Sequence, residues 1–228
     1  MADVSTCDAY SVTVETPTLP KPKRPRSARG KTQQEGLFLL LGIVALMWLV
    51  EVINAIDNYG LDSDGIVPRS FSHLWAIFTS PFIHANFSPH LIDNTIPLVF
   101  MGVIIALRGA ARLAAVTAIV IIVGGLGTWL IAPSNTVTIG ASGVVFGYAT
   151  YLFTRGLFNR SALEILTGLV VGAVWGAALL SSIVPHTGVS WQAHVSGAVG
   201  GVVAAYVLRR DRAAPAGNAK SPAQDVKV

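Results

Sequence analysis

Two side chains that could act together as a nucleophile and a base lie in otherwise apolar stretches of the chain. Ser142 lies in the segment GASG (residues 140–143), and His194 lies in AHVSG (residues 193–197). A serine hydroxyl becomes a nucleophile when a histidine removes its proton. A serine at the start of a helix also lies beside unpaired backbone N–H groups that can bind a developing oxyanion. The alternatives are an ordinary helix N-cap for the serine and an interhelical hydrogen bond for the histidine.

A second polar group precedes these two residues in the chain. His90 and Asn94 are four residues apart and would share one face of a helix. Both can donate hydrogen bonds, so with the N–H of Ser142 they could line an oxyanion hole. Hydrogen bonds between helices would explain the pair equally well. Asp93 lies on roughly the same side, where it could pair with His90 or stay neutral, and we assign it no catalytic role.

Glycines near the serine and the histidine predict how their helices pack. His194, Gly197 and Gly201 share one helical face, and Gly143 and Gly147 lie four residues apart beside the serine. Stripes of small residues let helix backbones approach closely in lipid. We therefore expect the two helices to pack together and to bring the imidazole within hydrogen-bond reach of the serine hydroxyl. This arrangement favours a nucleophile with its general base.

The composition indicates an all-α membrane protein. Hydrophobic residues make up 52% of the 228 residues and charged residues only 12%, whereas soluble proteins contain about 25% charged residues. The single cysteine, Cys7, excludes an internal disulfide and a cysteine-based metal cluster. No metal or nucleotide cofactor is predicted. Basic residues that flank membrane helices explain the pI of about 9.5 better than nucleic-acid binding does.

Six apolar segments predict a bundle of membrane-spanning helices, since a span needs about 20 apolar residues in a helix. They cover approximately residues 36–55, 90–107, 113–132, 141–153, 163–184 and 191–208. The fourth would be only about 20 Å long at 1.5 Å per residue. We therefore expect it to start inside the membrane, after residues 133–139 dip in from the outer side beside a water-filled pocket. Residues 74–87 should form an interfacial or partly embedded loop on that same side.

The distribution of charge predicts the orientation of these spans. Fifteen of the sixteen Lys and Arg residues fall on one side, and only Arg69 falls on the other. The positive-inside rule then places both termini in the cytoplasm, which requires an even number of spans. We expect residues 35–210 to form the membrane domain, and residues 1–34 and 211–228 to be disordered cytoplasmic tails. Such a chain would be a multi-pass protein of a bacterial cell membrane.

In these motifs the chain resembles the rhomboid family of intramembrane serine proteases. The resemblance covers roughly residues 35–210. It rests on three motifs in the family's order: HxxxN at residues 90–94, GASG at residues 140–143 and AHxxGxxxG at residues 193–201. The joint occurrence of the three motifs on the appropriate helices carries the resemblance.

The resemblance implies a function and a role for each site residue. It implies a six-helix serine endopeptidase that needs no cofactor and cleaves transmembrane protein substrates within the lipid bilayer. Ser142 would be the nucleophile and His194 the general base, in a dyad without an aspartate. His90, Asn94 and the Ser142 N–H would bind the oxyanion. The supporting positions would be His84, Gly140, Gly143, Phe146, Gly197 and Gly201.

The sequence departs from the family pattern at two places. Many rhomboids have a tyrosine four residues after the serine that stacks on the histidine, and here this residue is Phe146. A phenyl ring can stack in the same way. The outer loop also lacks the Trp-Arg pair of many members, and Arg69 is a candidate replacement.

The sequence leaves two other function classes beside the protease. A catalytically inactive rhomboid-like protein would bind membrane clients, but such relatives have usually lost the serine or the histidine, and both are present here. A small transporter would favour inverted repeats and a site at the membrane midplane. The sequence has no evident repeat, and its polar residues cluster toward the outer side.

Overall fold

The fold is all-helical in the part of the chain that the computed structural model describes, residues 26–185 and 188–209. Seven α-helices and no β-strand occur there. The helices are α1 (Arg26–Ile56), α2 (Ala76–Thr79), α3 (Ile92–Ala106), α4 (Ala110–Ile131), α5 (Ser142–Asn159), α6 (Ala162–Ser181) and α7 (Trp191–Val207). Short 3₁₀ turns fill much of the connection between α1 and α3, and a π-helical turn, Phe87–Leu91, leads into α3.

Four helical segments are long and apolar enough to cross a membrane. They are Gly30–Ile56, Phe87–Ala106, Ala110–Ile131 and Ala162–Ser181, which correspond to the first, second, third and fifth predicted spans. The helices α5 and α7 lie at the fourth and sixth predicted segments and contain 18 and 17 residues. They do not reach the length and apolarity of the other four.

The first helix begins earlier than the sequence predicted. It starts at Arg26, ten residues before the expected start of the first span, so residues 26–34 of the predicted disordered tail are helical. Six of these nine residues are arginine, alanine, lysine or glutamine, and all four favour helix even where the segment is too polar for a membrane span. The remaining predicted tail residues, 1–25 and 211–228, lie outside the described residues.

The fourth predicted segment is longer than expected, because α5 continues past residue 153 to Asn159. The predicted segment ends at residue 153, which leaves Arg155 in the loop that follows. Its side chain is instead buried inside the bundle, with Nε 3.9 Å from Oε2 of Glu164 on α6. A nearby carboxylate reduces the cost of burying the guanidinium, so the helix does not have to end at this charge. Asn159 is the last residue of the helix, and Arg160, which follows it, adopts a left-handed conformation.

The helices α5 and α7 pack against each other through the predicted glycines. A Cβ atom on Gly197 would overlap the backbone carbonyl of Gly143, and one on Gly201 would overlap the carbonyl of Gly147. The α4 helix joins the same contact, since a Cβ on Gly124 would lie 3.1 Å from the Gly197 Cα. The expected close approach of the two glycine stripes is therefore present.

Two loops lie together at the end of the bundle where α5 begins. Ile66 and Thr138 exchange two backbone hydrogen bonds of 2.9 and 3.0 Å, which join the α1–α3 loop to the segment before α5. The Arg69 guanidinium donates hydrogen bonds of 2.9 Å each to the carbonyls of Leu130 and Ala132. Arg69 thus anchors the same loop to the C-terminal end of α4.

The glycine contact gives the first prediction. Replacing Gly201 by valine should lower the thermal unfolding midpoint of the detergent-solubilised protein, because overpacking a tight contact costs about 1–3 kcal/mol. Gly42 on α1 is the matched control, since a Cβ there meets nothing within 4 Å. Gly42→Val should unfold close to the wild type. Equal midpoints for the two variants would contradict the tight α5–α7 contact.

Candidate active site

A cavity of about 240 Å³ lies at the N-terminal end of α5 and collects the polar residues that the sequence singled out. Ser142 is the first residue of α5, and His194 lies in the first turn of α7. Among the described residues, no hydrogen bond joins the serine hydroxyl to the imidazole. Catalytic hydrogen bonds are often long in the absence of substrate. The site residues that line the cavity are His84, His90, Asn94, Gly140, Ser142 and His194.

The His194 ring is held on two sides. Its Nδ1 lies 2.8 Å from the carbonyl oxygen of Ser182, just after the end of α6. A carbonyl can only accept a hydrogen bond, so in this contact Nδ1 carries the proton and the neutral ring has its lone pair on Nε2. The Phe146 ring stacks on the imidazole at 4.3 Å between centroids and 10° between planes. The stacking expected from Phe146 is therefore present, and Nε2 is the nitrogen suited to act as a base.

The turn that leads into Ser142 is fixed by the loop between α1 and α3. Gly140 has φ +106°, a conformation that side-chain-bearing residues rarely adopt. Its N–H donates a 2.8 Å hydrogen bond to the Ser80 carbonyl. The next N–H, that of Ala141, donates to His84 Nε2 at 3.2 Å. The backbone around the serine is thus held in place before the helix begins.

His84 is itself held by two buried polar residues of α1. Its backbone N–H donates to Glu51 Oε2 at 3.2 Å, and Asn54 Nδ2 donates to its carbonyl at 3.1 Å. Burial lowers the pKa of the His84 imidazole to about 4, so the ring is neutral near pH 7. Neutrality is what the contact with Ala141 requires, because only an unprotonated Nε2 can accept a hydrogen bond.

Four of these contributors were missed by the sequence reasoning. Glu51 and Asn54 are polar residues inside an apolar span, and this rarity was a signal that could have identified them. Ser80 and Ser182 each contribute a backbone carbonyl, and no side-chain pattern in a sequence predicts such a contact.

The predicted oxyanion donors face the same cavity from α3 and the turn before it. Asn94 lies beside the turn into α5, since a Cβ on Gly140 would be 3.8 Å from Asn94 Nδ2. His90 lies one helical turn before Asn94 in the π-helical turn, where its backbone N–H donates to Asn86 Oδ1 at 3.2 Å. The side chains of both residues line the cavity with Ser142.

Comparison with known proteins identifies the family. A model of the rhomboid domain matches residues 72–211, so the chain belongs to the rhomboid family, and the resemblance seen in the sequence is confirmed. "Uncharacterized protein Rv1337" of Mycobacterium tuberculosis is 44% identical over 90% of this chain and 88% of its own length. "Uncharacterized protein ML1171" of Mycobacterium leprae is 41% identical over 80% of this chain and 77% of its own. The "putative rhomboid protease YdcA" of Bacillus subtilis is 29% identical over 58% of this chain and 66% of its own.

The buried His84 ring predicts a pH-dependent stability. The unfolded chain binds a proton at the ordinary pKa of 6.5, whereas the folded chain does so only at about 4. Stability should therefore fall as the pH is lowered from 6.5 toward 4, because the unfolded state binds the extra proton there. His84→Gln is the control, since its side-chain oxygen can accept a hydrogen bond but does not titrate. The wild-type unfolding midpoint should fall more steeply than that of the variant, and parallel curves would contradict the assignment.

Proposed function

We propose that this protein is an intramembrane serine endopeptidase that hydrolyses peptide bonds in or near transmembrane segments of other membrane proteins. The observation that carries the proposal is the cavity shared by Ser142 and His194. Within it, the 2.8 Å contact between Nδ1 of His194 and the Ser182 carbonyl favours the tautomer in which Nε2 is the basic nitrogen that would take the serine proton. Membership of the rhomboid family supports the same activity.

The proposed reaction uses only groups of this chain and water. The Ser142 hydroxyl attacks the substrate carbonyl while His194 Nε2 takes its proton, and the bond from carbon to the leaving nitrogen then breaks as His194 returns the proton to that nitrogen. The negative oxygen formed on the way is bound by the Ser142 N–H, Asn94 and His90. Water then attacks the acyl-enzyme carbonyl while His194 Nε2 takes a proton from it. The ester bond to Ser142 breaks as His194 returns the proton to the serine oxygen, which releases the second product and restores the enzyme.

The proposed placement in the membrane has six crossings with both termini in the cytoplasm. The strong bias of Lys and Arg toward one side supports this orientation. The 18 residues of α5 correspond to about 27 Å at 1.5 Å per residue. This is still short of the roughly 30 Å hydrocarbon core, in keeping with a helix that starts inside the membrane. The cavity at its start would then open to the outer side and admit the water that the reaction consumes.

The proposed substrates are transmembrane segments that can expose their backbone near the outer face. A helix hides its peptide bonds in internal hydrogen bonds, so the segment has to unwind before the nucleophile can reach a carbonyl. Glycine and proline weaken a helix, and small residues such as alanine leave the backbone accessible. We therefore expect cleavage at segments with Gly, Pro or Ala near their outer ends.

The dyad is tested by alanine variants of its two members. Ser142→Ala and His194→Ala should each abolish cleavage of a labelled transmembrane substrate in detergent, and the double variant should lose no more than either one, because the two residues act as a unit. A fluorophosphonate probe should label the wild type and not Ser142→Ala. Ser63→Ala and His73→Ala are matched controls in the outer loop, away from the cavity. Substantial cleavage by Ser142→Ala would exclude this nucleophile.

The oxyanion donors separate a protease from a client-binding protein. Asn94→Ala and His90→Ala should each reduce turnover about a hundred- to a thousandfold, the usual effect of losing one such donor. The substrate Kd should hardly change, because the oxyanion exists only after attack. A client-binding protein would show no turnover in the wild type and weaker association in these variants. Measuring turnover and Kd on one substrate distinguishes the protease from the client-binding protein. If turnover were unchanged in both variants, His90 and Asn94 would have no part in the mechanism and α3 would have a structural role only.

A further inference from the structure

Asp93 brings a negative charge to the cavity that the proposed mechanism does not use. It lies in the first turn of α3, and it lines the cavity together with Ser142 and His194. It is the only carboxylate among the described residues that line this cavity. Its side chain is exposed to the cavity and not packed into the core.

No cation of the described part of the chain compensates this charge. The salt bridges found there both involve Glu164, at the other end of the bundle, and none joins Asp93 to His90 one turn earlier. The nearby His84 ring is neutral, because burial lowers its pKa to about 4. Arg69 is the one Lys or Arg in the outer loops, and its guanidinium is engaged by carbonyls at the end of α4.

We propose that Asp93 is a specificity-determining residue that selects substrates with a lysine or arginine side chain close to the scissile bond. This inference rests on the proposed protease function and names its substrate class. A carboxylate in a partly enclosed site attracts an opposite charge more strongly than one in open water. Since no cation among the described residues forms a salt bridge with Asp93, the matching charge would come from the substrate.

The shape and chemistry of the cavity suit such a side chain. Lysine and arginine place an apolar stem along an apolar wall and keep the charged end in polar surroundings. Pro89, Ile139 and Val189 provide apolar wall, and Asp93 provides the polar end. Lys and Arg are scarce on the outer flanks of membrane proteins, so this requirement would exclude most transmembrane segments.

The test compares one transmembrane substrate with Lys, Gln or Glu at each of the five positions on either side of the scissile bond. At one or two positions the wild type should cleave the Lys substrate with a kcat/KM about tenfold above that of the Glu substrate. This is the effect expected when a partly exposed attraction between Asp93 and a lysine is replaced by a repulsion between two carboxylates. Asp93→Asn should reduce this ratio to about two or less, and Asp93→Lys should invert it. The matched control Asp57→Asn, an exposed acidic residue after α1 and outside the cavity, should keep the wild-type ratio.

The outcomes distinguish this inference from the function on which it rests. The role of Asp93 would be overturned if Ser142-dependent cleavage were equally fast with Lys and Glu at every position. It would also be overturned if the Asp93→Asn variant kept the preference for Lys. Neither result would contradict the proposed protease activity. If the wild type showed neither cleavage nor fluorophosphonate labelling, the proposed protease activity itself would be overturned. The Kd of labelled substrates for the Ser142→Ala variant provides a readout without turnover. Tighter binding of the Lys substrate that disappears in the Ser142→Ala, Asp93→Asn double variant supports the inference, and equal binding contradicts it.

Discussion

The close contact of α5 with α7 is the constraint on which the rest of the site depends. Ser142 and His194 lie on different helices, separated by more than fifty residues of chain. They can line one cavity only because Gly197 and Gly201 let the two backbones touch. In lipid such helices gain no hydrophobic energy from association, so packing and hydrogen bonds have to hold them together. The geometry of the site is therefore set by residues that have no side chain.

A second constraint acts on the backbone just before the serine. The His84 backbone donates a hydrogen bond to Glu51 and accepts one from Asn54, both on α1, and the His84 ring accepts one from the N–H of Ala141. Burying a carboxylate is costly unless it is hydrogen-bonded, and here one oxygen of Glu51 is bonded to a backbone N–H. The polar residues of α1 thus fix a turn that belongs to another part of the chain. This explains how a helix that contributes no residue to the cavity still contributes to its shape.

The sequence predicted the contacts that follow a helical period and missed those that do not. The glycine stripes could be predicted, because side chains four residues apart share a helical face, whereas the stacking of Phe146 on His194 was implied by the resemblance to the rhomboid family. The extent of α5 could not be predicted, because Arg155 is charged and yet buried beside Glu164. The sequence shows the charge, but only the packed structure shows the partner on another helix.

The start of the first helix was missed for a related reason. Residues 26–34 are too polar for a membrane span, and a hydropathy criterion ends the segment where the apolar residues end. Helix formation depends on backbone hydrogen bonds and local propensity, so the helix continues after the apolar stretch has stopped. The apolar boundary and the helical boundary of α1 are thus two different positions.

The hydrogen bond from His194 to the Ser182 carbonyl makes the proposed chemistry depend on a residue outside the two helices that carry the proposed dyad. The carbonyl belongs to the turn that ends α6, whereas the stacking ring of Phe146 belongs to α5. If the end of α6 moves away, the imidazole loses this acceptor, and the preference for a proton on Nδ1 weakens. A neutral ring with its proton on Nε2 cannot accept one from serine there. The basicity available to the proposed nucleophile is thereby coupled to the position of a helix that supplies no reacting side chain.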